Sequence, residues 1–259
     1  MSGTGGPGHA QRDSARRSVQ VRTAALVPPA APSTLRRGAN LAARHLFPPR
    51  AKRSVPVRRA LLKHTLRQLE QALSGTPLEG RLWLMGGLAI GYARSGEALR
   101  NDLVDVDLGY DDADQGGLAS TIDALRRHRF APMHRLVSNA GVPTACRLRR
   151  DGVWIDLIRC FRREEREYWI TYLTDRRDPR APQEVEVQTE VTYQVKVPAE
   201  PLYGTRWLRV ADLDRYLSEQ YGDWDAPDDV FYRRDWDHVR DSPAVVRCEP
   251  WRGHWGPWS

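Results

Sequence analysis

The chain has 259 residues, 41% of them hydrophobic and 28% charged, and a formal net charge of +7. That apolar content can build the core of one domain with appendages, which excludes a purely disordered or fibrous chain. The longest uncharged stretches, Leu82–Ala93 and Thr23–Leu35, fall short of the ~18 apolar residues a membrane-spanning helix needs, so none is expected.

Residues 1–55 are rich in Gly, Pro, Ala, Ser and Arg and show no sustained period of 2 or 3.6, which predicts a flexible basic arm outside the fold. Residues 1–60 hold twelve Arg or Lys and one acid, Asp13, whereas the rest of the chain carries a slight excess of acids. Such an arm suits contact with anionic lipid head groups or nucleic acid, or is simply solvated. It lacks the sections of a secretory signal, so export by that route is not expected. Cys146, Cys160 and Cys248 form no CxxC pair, and the seven histidines show no HxH or HxxxH spacing. The odd cysteine count fits a reducing, cytoplasmic setting and gives a sulfur- or imidazole-rich metal centre no support.

From Arg59, leucines at 62, 66, 69 and 73 predict an amphipathic helix stopped by Gly75 and Pro77. Arg81–Met85 reads as a short buried strand. The Gly86-Gly87 pair turns it into an apolar helix over Leu88–Ala93, and Val104–Tyr110 reads as a second strand. Gly116-Gly117 precede a helix with Leu118, Ile122 and Leu125 inward. Asp151-Gly152 is a two-residue hairpin signal that pairs Thr144–Arg150 with Val153–Ile158 and sets Arg147 opposite Asp156. The strict alternation of Val185–Val197 predicts one long half-buried strand or a bulged hairpin. Leu213–Tyr221 is a helix with Asp212 as N-cap and Gly222 as stop. The expected class is α+β: a mixed sheet packed with helices over residues 56–235, a small helical C-terminal part, and a Trp-rich tail over 236–259. Trp236, Trp251, Trp255 and Trp258 of that tail either stack on sugar rings or pack the tail onto the domain.

Asp105-Val106-Asp107 carries the chemistry. Alternate residues of a strand share a face, so the two carboxylates project together while Val104, Val106 and Leu108 turn to the core. Acids held so close repel, and either one protonates or a cation joins them. Oxygen-only ligands select Mg²⁺ or Mn²⁺. Asp156 interrupts the apolar run Val153–Ile158 and needs a partner, either a metal or Arg147. Gly86 and Gly87 can bring backbone N–H groups close to phosphate oxygens. Arg94 and Arg100 can clamp a phosphate, or are surface charge.

The order of strand, Gly-Gly, helix, Asp-x-Asp strand and later strand Asp resembles the nucleotidyltransferase superfamily. Asp105-Val106-Asp107-Leu108-Gly109, Trp154–Ile158 and the segment Tyr216-Leu217 through Tyr221-Gly222-Asp223-Trp224 to Pro227 are similar to the LicD/fukutin family. The resemblance implies transfer of a phospho-alcohol group, such as phosphocholine or a polyol phosphate, from a CDP-activated donor to the hydroxyl of a glycan or lipid-linked glycan. It implies that Asp105, Asp107 and Asp156 are the catalytic carboxylates and hold Mg²⁺ or Mn²⁺. Gly86, Gly87, Arg94 and Arg100, with Tyr221 and Trp224 of the C-terminal signature, would serve the substrates. It also fits a cytoplasmic protein resting on the inner membrane face. The family often has a further Asp where this chain has Leu103, with Asp102 one position away. Trp83–Ile90 is similar to the strand-turn of small antibiotic-modifying nucleotidyltransferases, which use a nucleoside triphosphate and release pyrophosphate; this is the rival reading, behind the LicD-like one. A non-catalytic anion-binding protein is the third reading.

Overall fold

The computed structural model describes residues 54–100, 102–175, 183–225 and 247–250. Among them are α1 (Val55–Leu73), β1 (Trp83–Leu84), α2 (Gly86–Ser95), β2 (Asp105–Asp111), α3 (Leu118–Arg127), β3 (Ala131–Val137), β4 (Pro143–Arg150) and β5 (Val153–Arg163). There follow β6 (Arg166–Asp175), β7 (Gln183–Thr192), β8 (Lys196–Pro198), β9 (Leu208–Val210), α4 (Leu213–Tyr221) and β10 (Arg247–Pro250). The protein is therefore a mixed α/β structure. No described helix is long and apolar enough to cross a membrane.

The strands form one sheet in the order β10-β3-β4-β5-β2-β1-β9-β8, and β6 joins β5 to β7. The pairs β2–β5 and β1–β9 are parallel and the remaining pairs antiparallel. Strand β5 is long enough to serve three neighbours. Its first part lies between β2 and β4, and its last residues, Cys160–Arg163, pair with β6.

One face of the central strands is mainly apolar. Val106, Leu108 and Tyr110 of β2, Cys146 and Leu148 of β4, and Val153, Ile155 and Leu157 of β5 are all fully buried. Helices α1 and α3 lie on this side: α1 contributes fully buried Leu62, Leu66 and Leu69, and α3 contributes Leu118 and Leu125. Arg150 spans the layers, its Nη2 donating to Gln68 of α1 at 3.1 Å and its guanidinium lying 5.0 Å from the Phe130 ring. Helix α1 begins one turn before the expected start. Pro56 sits in its first turn, where a missing N–H costs nothing.

The opposite face carries Asp105, Asp107 and Gly109 on β2 beside Trp154, Asp156 and Ile158 on β5. The hairpin register is the expected one, with Arg150 opposite Val153 and Arg147 opposite Asp156. Helix α4 has Asp212 as its cap, whose carboxylate accepts from the Arg215 N–H, and stops at Gly222.

One expectation is corrected. The alternating run from Val185 is neither one strand nor a hairpin: β7 stops at Thr192, opposite the first residue of β6, and its partner runs out there. The chain crosses to β8, which pairs with β9 instead. Lys196 of β8 is then a half-buried partner of buried Glu167 on β6, donating at 2.9 and 2.7 Å to its two oxygens. The C-terminal tail supplies a strand, β10, on the β3 edge. The remainder of the expected arm and the four tail tryptophans lie outside the described residues.

Gly109 shows how tightly the carboxylate face is built. A Cβ there would stand 2.4 Å from the Trp83 ring and 2.6 Å from Met85 Sδ. Gly109→Ala is therefore expected to destabilise the protein by about 1–3 kcal/mol, as overpacked cores do. Urea unfolding checks this, and an unchanged midpoint would show that β1 yields freely.

Candidate active site

Parallel pairing of β2 with β5 sets Asp107 level with Asp156 and Asp105 level with Trp154. Neighbouring strands lie about 4.8 Å apart, so Asp107 and Asp156 stand side by side on one face. Beyond Asp156, on β4, stands Arg147. Its Nε donates to Asp156 Oδ1 at 2.6 Å and its Nη2 to Oδ2, a two-pronged pairing that fixes both planes. The side chains keep only 15% and 24% of their exposure, so this is more than a surface contact. Of the two partners that the sequence leaves open for Asp156, the structure places Arg147 there.

The glycine pair lies directly over the aspartates. Helix α2 starts at Gly86, which has φ +56°, and Met85 N–H donates to the Asp107 carbonyl at 3.1 Å. A Cβ on Gly86 would fall 2.2 Å from Asp107 Oδ2, and one on Gly87 would fall 1.9 Å from Asp102 Oδ2. The glycines thus open the α2 helix rather than forming a turn ahead of it. The space a side chain would need is filled by the carboxylates of Asp107 and Asp102. Both carboxyl groups sit at the positive end of α2, where the first N–H groups have no partner in the helix.

These neighbours set the electrostatics. The Asp107 carboxyl is pushed well above the usual carboxylate range, first by burial and then by Asp156, Asp105 and Asp102; Arg147 opposes the rise. Four acids therefore share one electrostatic neighbourhood. Asp107 holds its proton more firmly than an ordinary carboxyl does, and a cation beside it would relieve the repulsion.

The other expected residues separate. Arg94 is tied up on α2, its Nη2 donating to the Trp224 carbonyl. Arg100 is exposed between α2 and β2. Tyr221 is half-buried, its hydroxyl accepting from Gln220 at 2.8 Å. Trp224 packs against the core and donates from Nε1 to Asp214 at 3.1 Å. The Arg94–Trp224 bond fastens the end of α4 to α2.

Two features of this site were not read from the sequence. The Tyr216 hydroxyl on α4 is buried with no hydrogen-bond partner, and the ring tilts against Trp169 at 6.1 Å between centroids. Its pKa is raised by burial first, with Asp107 among the charges that add to it. Arg149, two residues from Arg147 on β4, stands level with Trp154. The same two-residue spacing that singles out the aspartates could have singled out these arginines.

Among the described residues no group of three or more His, Cys, Asp or Glu is gathered to hold a metal ion as it stands. The donor chemistry nevertheless fits a hard divalent cation, with oxygen ligands alone and no buried thiol or imidazole among them. Asp105 and Asp107 are the pair that would hold it, and Asp156 is engaged by Arg147. No family model matches the chain, and no curated protein matches it.

The raised Asp107 pKa predicts a pH signature. The folded state keeps this proton to higher pH than the unfolded chain, so stability falls as pH rises from the ordinary carboxylate range through the folded value. In chelator, Asp107→Asn is expected to melt above the parent protein at pH 8, with the gap closing toward pH 5. Thermal denaturation at the two pH values checks this; a gap independent of pH would contradict it.

Proposed function

We propose that the protein is a Mg²⁺- or Mn²⁺-dependent transferase that moves a phospho-alcohol group from a CDP-activated donor to a hydroxyl of a glycan, releasing CMP. What carries the reading is the in-register pair Asp107–Asp156, with Asp105 two residues along, at the glycine-lined start of a helix. Such a face suits displacement at phosphorus, in which the protein positions the reactants and balances charge rather than forming bonds itself.

Asp105 and Asp107 would hold the cation. When bound, it supplies Lewis-acid neutralisation of the donor's diphosphate. Asp156 faces the same space from the next strand, and Arg147 fixes its carboxylate plane. In that position Asp156 can take the proton of the incoming hydroxyl. Gly86 and Gly87 keep the approach clear, since any side chain there would collide with the acids. Arg94 acts at one remove, holding the Trp224 segment.

The resemblance of the Tyr216–Trp224 segment favours a CDP-alcohol donor. The Trp83–Gly87 strand and glycine pair serve nucleotidyl transfer from a nucleoside triphosphate equally well, which is the alternative. An acceptor carried on lipid at the inner membrane face would suit the basic stretch before α1.

A donor screen with Mg²⁺ separates the chemistries. CMP is expected from CDP-choline, CDP-ribitol or CDP-glycerol when a glycan acceptor is present. Pyrophosphate from a nucleoside triphosphate would establish the alternative instead, and neither product from any donor would refute both. Asp105→Asn and Asp107→Asn are each expected to lower turnover at least a thousandfold while the protein stays folded. Near-normal rates in either would remove the metal role.

A further inference from the structure

The transferase reading leaves a charge problem. A nucleotide donor is an anion, and the face it must approach carries Asp102, Asp105, Asp107 and Asp156, with the other three raising the Asp107 pKa. One divalent ion cannot offset both the acids and a diphosphate. Positive charge must come from the protein, and the two arginines expected to provide it are elsewhere: Arg94 is engaged with Trp224, and Arg100 lies outside the paired strands.

The register shows where such charge stands. Two rows cross β2, β5 and β4: Asp105 beside Trp154 beside Arg149, and Asp107 beside Asp156 beside Arg147. All six side chains share one face. At about 4.8 Å per strand, Arg149 starts about 10 Å from Asp105, which is within reach of a long side chain and a bound diphosphate. Both guanidinium carbons lie over the Trp154 ring, at 5.5 Å for Arg147 and 5.2 Å for Arg149. Arg147 is committed to Asp156, whereas Arg149 is exposed. A guanidinium laid on an indole keeps its N–H edge outward, with much of its rotational freedom already spent. It is set for two-pronged contact with phosphate oxygens.

Resting on the transferase reading above, we propose that Arg149, held by Trp154, binds the diphosphate of the nucleotide donor, with Arg147 bounding the subsite toward Asp156. The acids on β2 take the cation side of the diphosphate and the arginines on β4 take the other. Trp154 is a positioning residue: it sets the guanidinium plane and need not touch the substrate. Lysine would keep the charge and lose both the fork and the stacking.

Calorimetric titration of the full chain with CDP and with inorganic pyrophosphate, each with Mg²⁺, tests this without turnover. Arg149→Ala is expected to weaken CDP binding at least about tenfold. Arg149→Lys should fall between it and the parent protein, and Arg163→Ala, an exposed arginine at the far end of β5, should match the parent. Melting curves of the variants should coincide, because Arg149 is exposed. Unchanged CDP affinity in Arg149→Ala overturns the subsite and leaves the transferase reading standing. An equal loss in Arg163→Ala also overturns it, since the effect would then be general surface charge. If the parent binds neither CDP nor pyrophosphate, subsite and transferase reading fail together. If Arg149→Ala loses binding but the donor screen yields neither CMP nor pyrophosphate, the subsite stands and the transferase reading fails.

Discussion

Everything at this site follows from one enforced closeness. The parallel pairing of β2 and β5 puts Asp107 next to Asp156, with Asp105 and Asp102 near enough to add to the repulsion. Like charges packed this way work against folding. The structure meets the cost locally, with a forked guanidinium on Asp156 and the positive end of α2 over Asp107 and Asp102. A helix end and an arginine moderate the charge without abolishing it, and Asp107 still holds its proton unusually firmly. A protein that needed only a stable sheet would gain by replacing these acids, and in the proposed function a divalent cation held by Asp105 and Asp107 would relieve their repulsion.

The apolar face keeps the acids where they are. Because side chains alternate along a strand, slipping β2 by one residue against β5 would drive its aspartates under α1 and α3 and expose Val106 and Leu108. With eight fully buried side chains on three adjacent strands, that slip is strongly disfavoured. The core thus fixes the register, and the register fixes which acids meet. Gly109 adds a second control, because the Trp83 ring and Met85 lie across it and bring the start of α2 down onto Asp107.

The hairpin turn at Asp151-Gly152 was legible because its two residues dictate the pairing, and with it the meeting of Arg147 and Asp156. The leucine spacing of α1 and the Asp212 and Gly222 ends of α4 were legible because each is a local signal. What could not be read was set by distant pairing. Strand β3 begins Ala131-Pro132-Met133-His134-Arg135, which alternates weakly, and it exists because β4 and β10 flank it. The break after Thr192 is invisible in an unbroken alternation, since it is decided by where β6 begins. At the site, spacing alone put Asp105 and Asp107 on one face. That Arg149 and Trp154 complete the same row depends on two registers at once.

The most direct test of the cation claim is Mn²⁺ binding followed by electron paramagnetic resonance, which counts the free ion without any substrate. Titration of the parent protein should show a tight site that Asp105→Asn and Asp107→Asn each remove and that Mg²⁺ displaces. Asp123→Asn, in an exposed ion pair on α3, should leave it intact. Equal Mn²⁺ uptake in all four proteins, or none in the parent, would contradict the account.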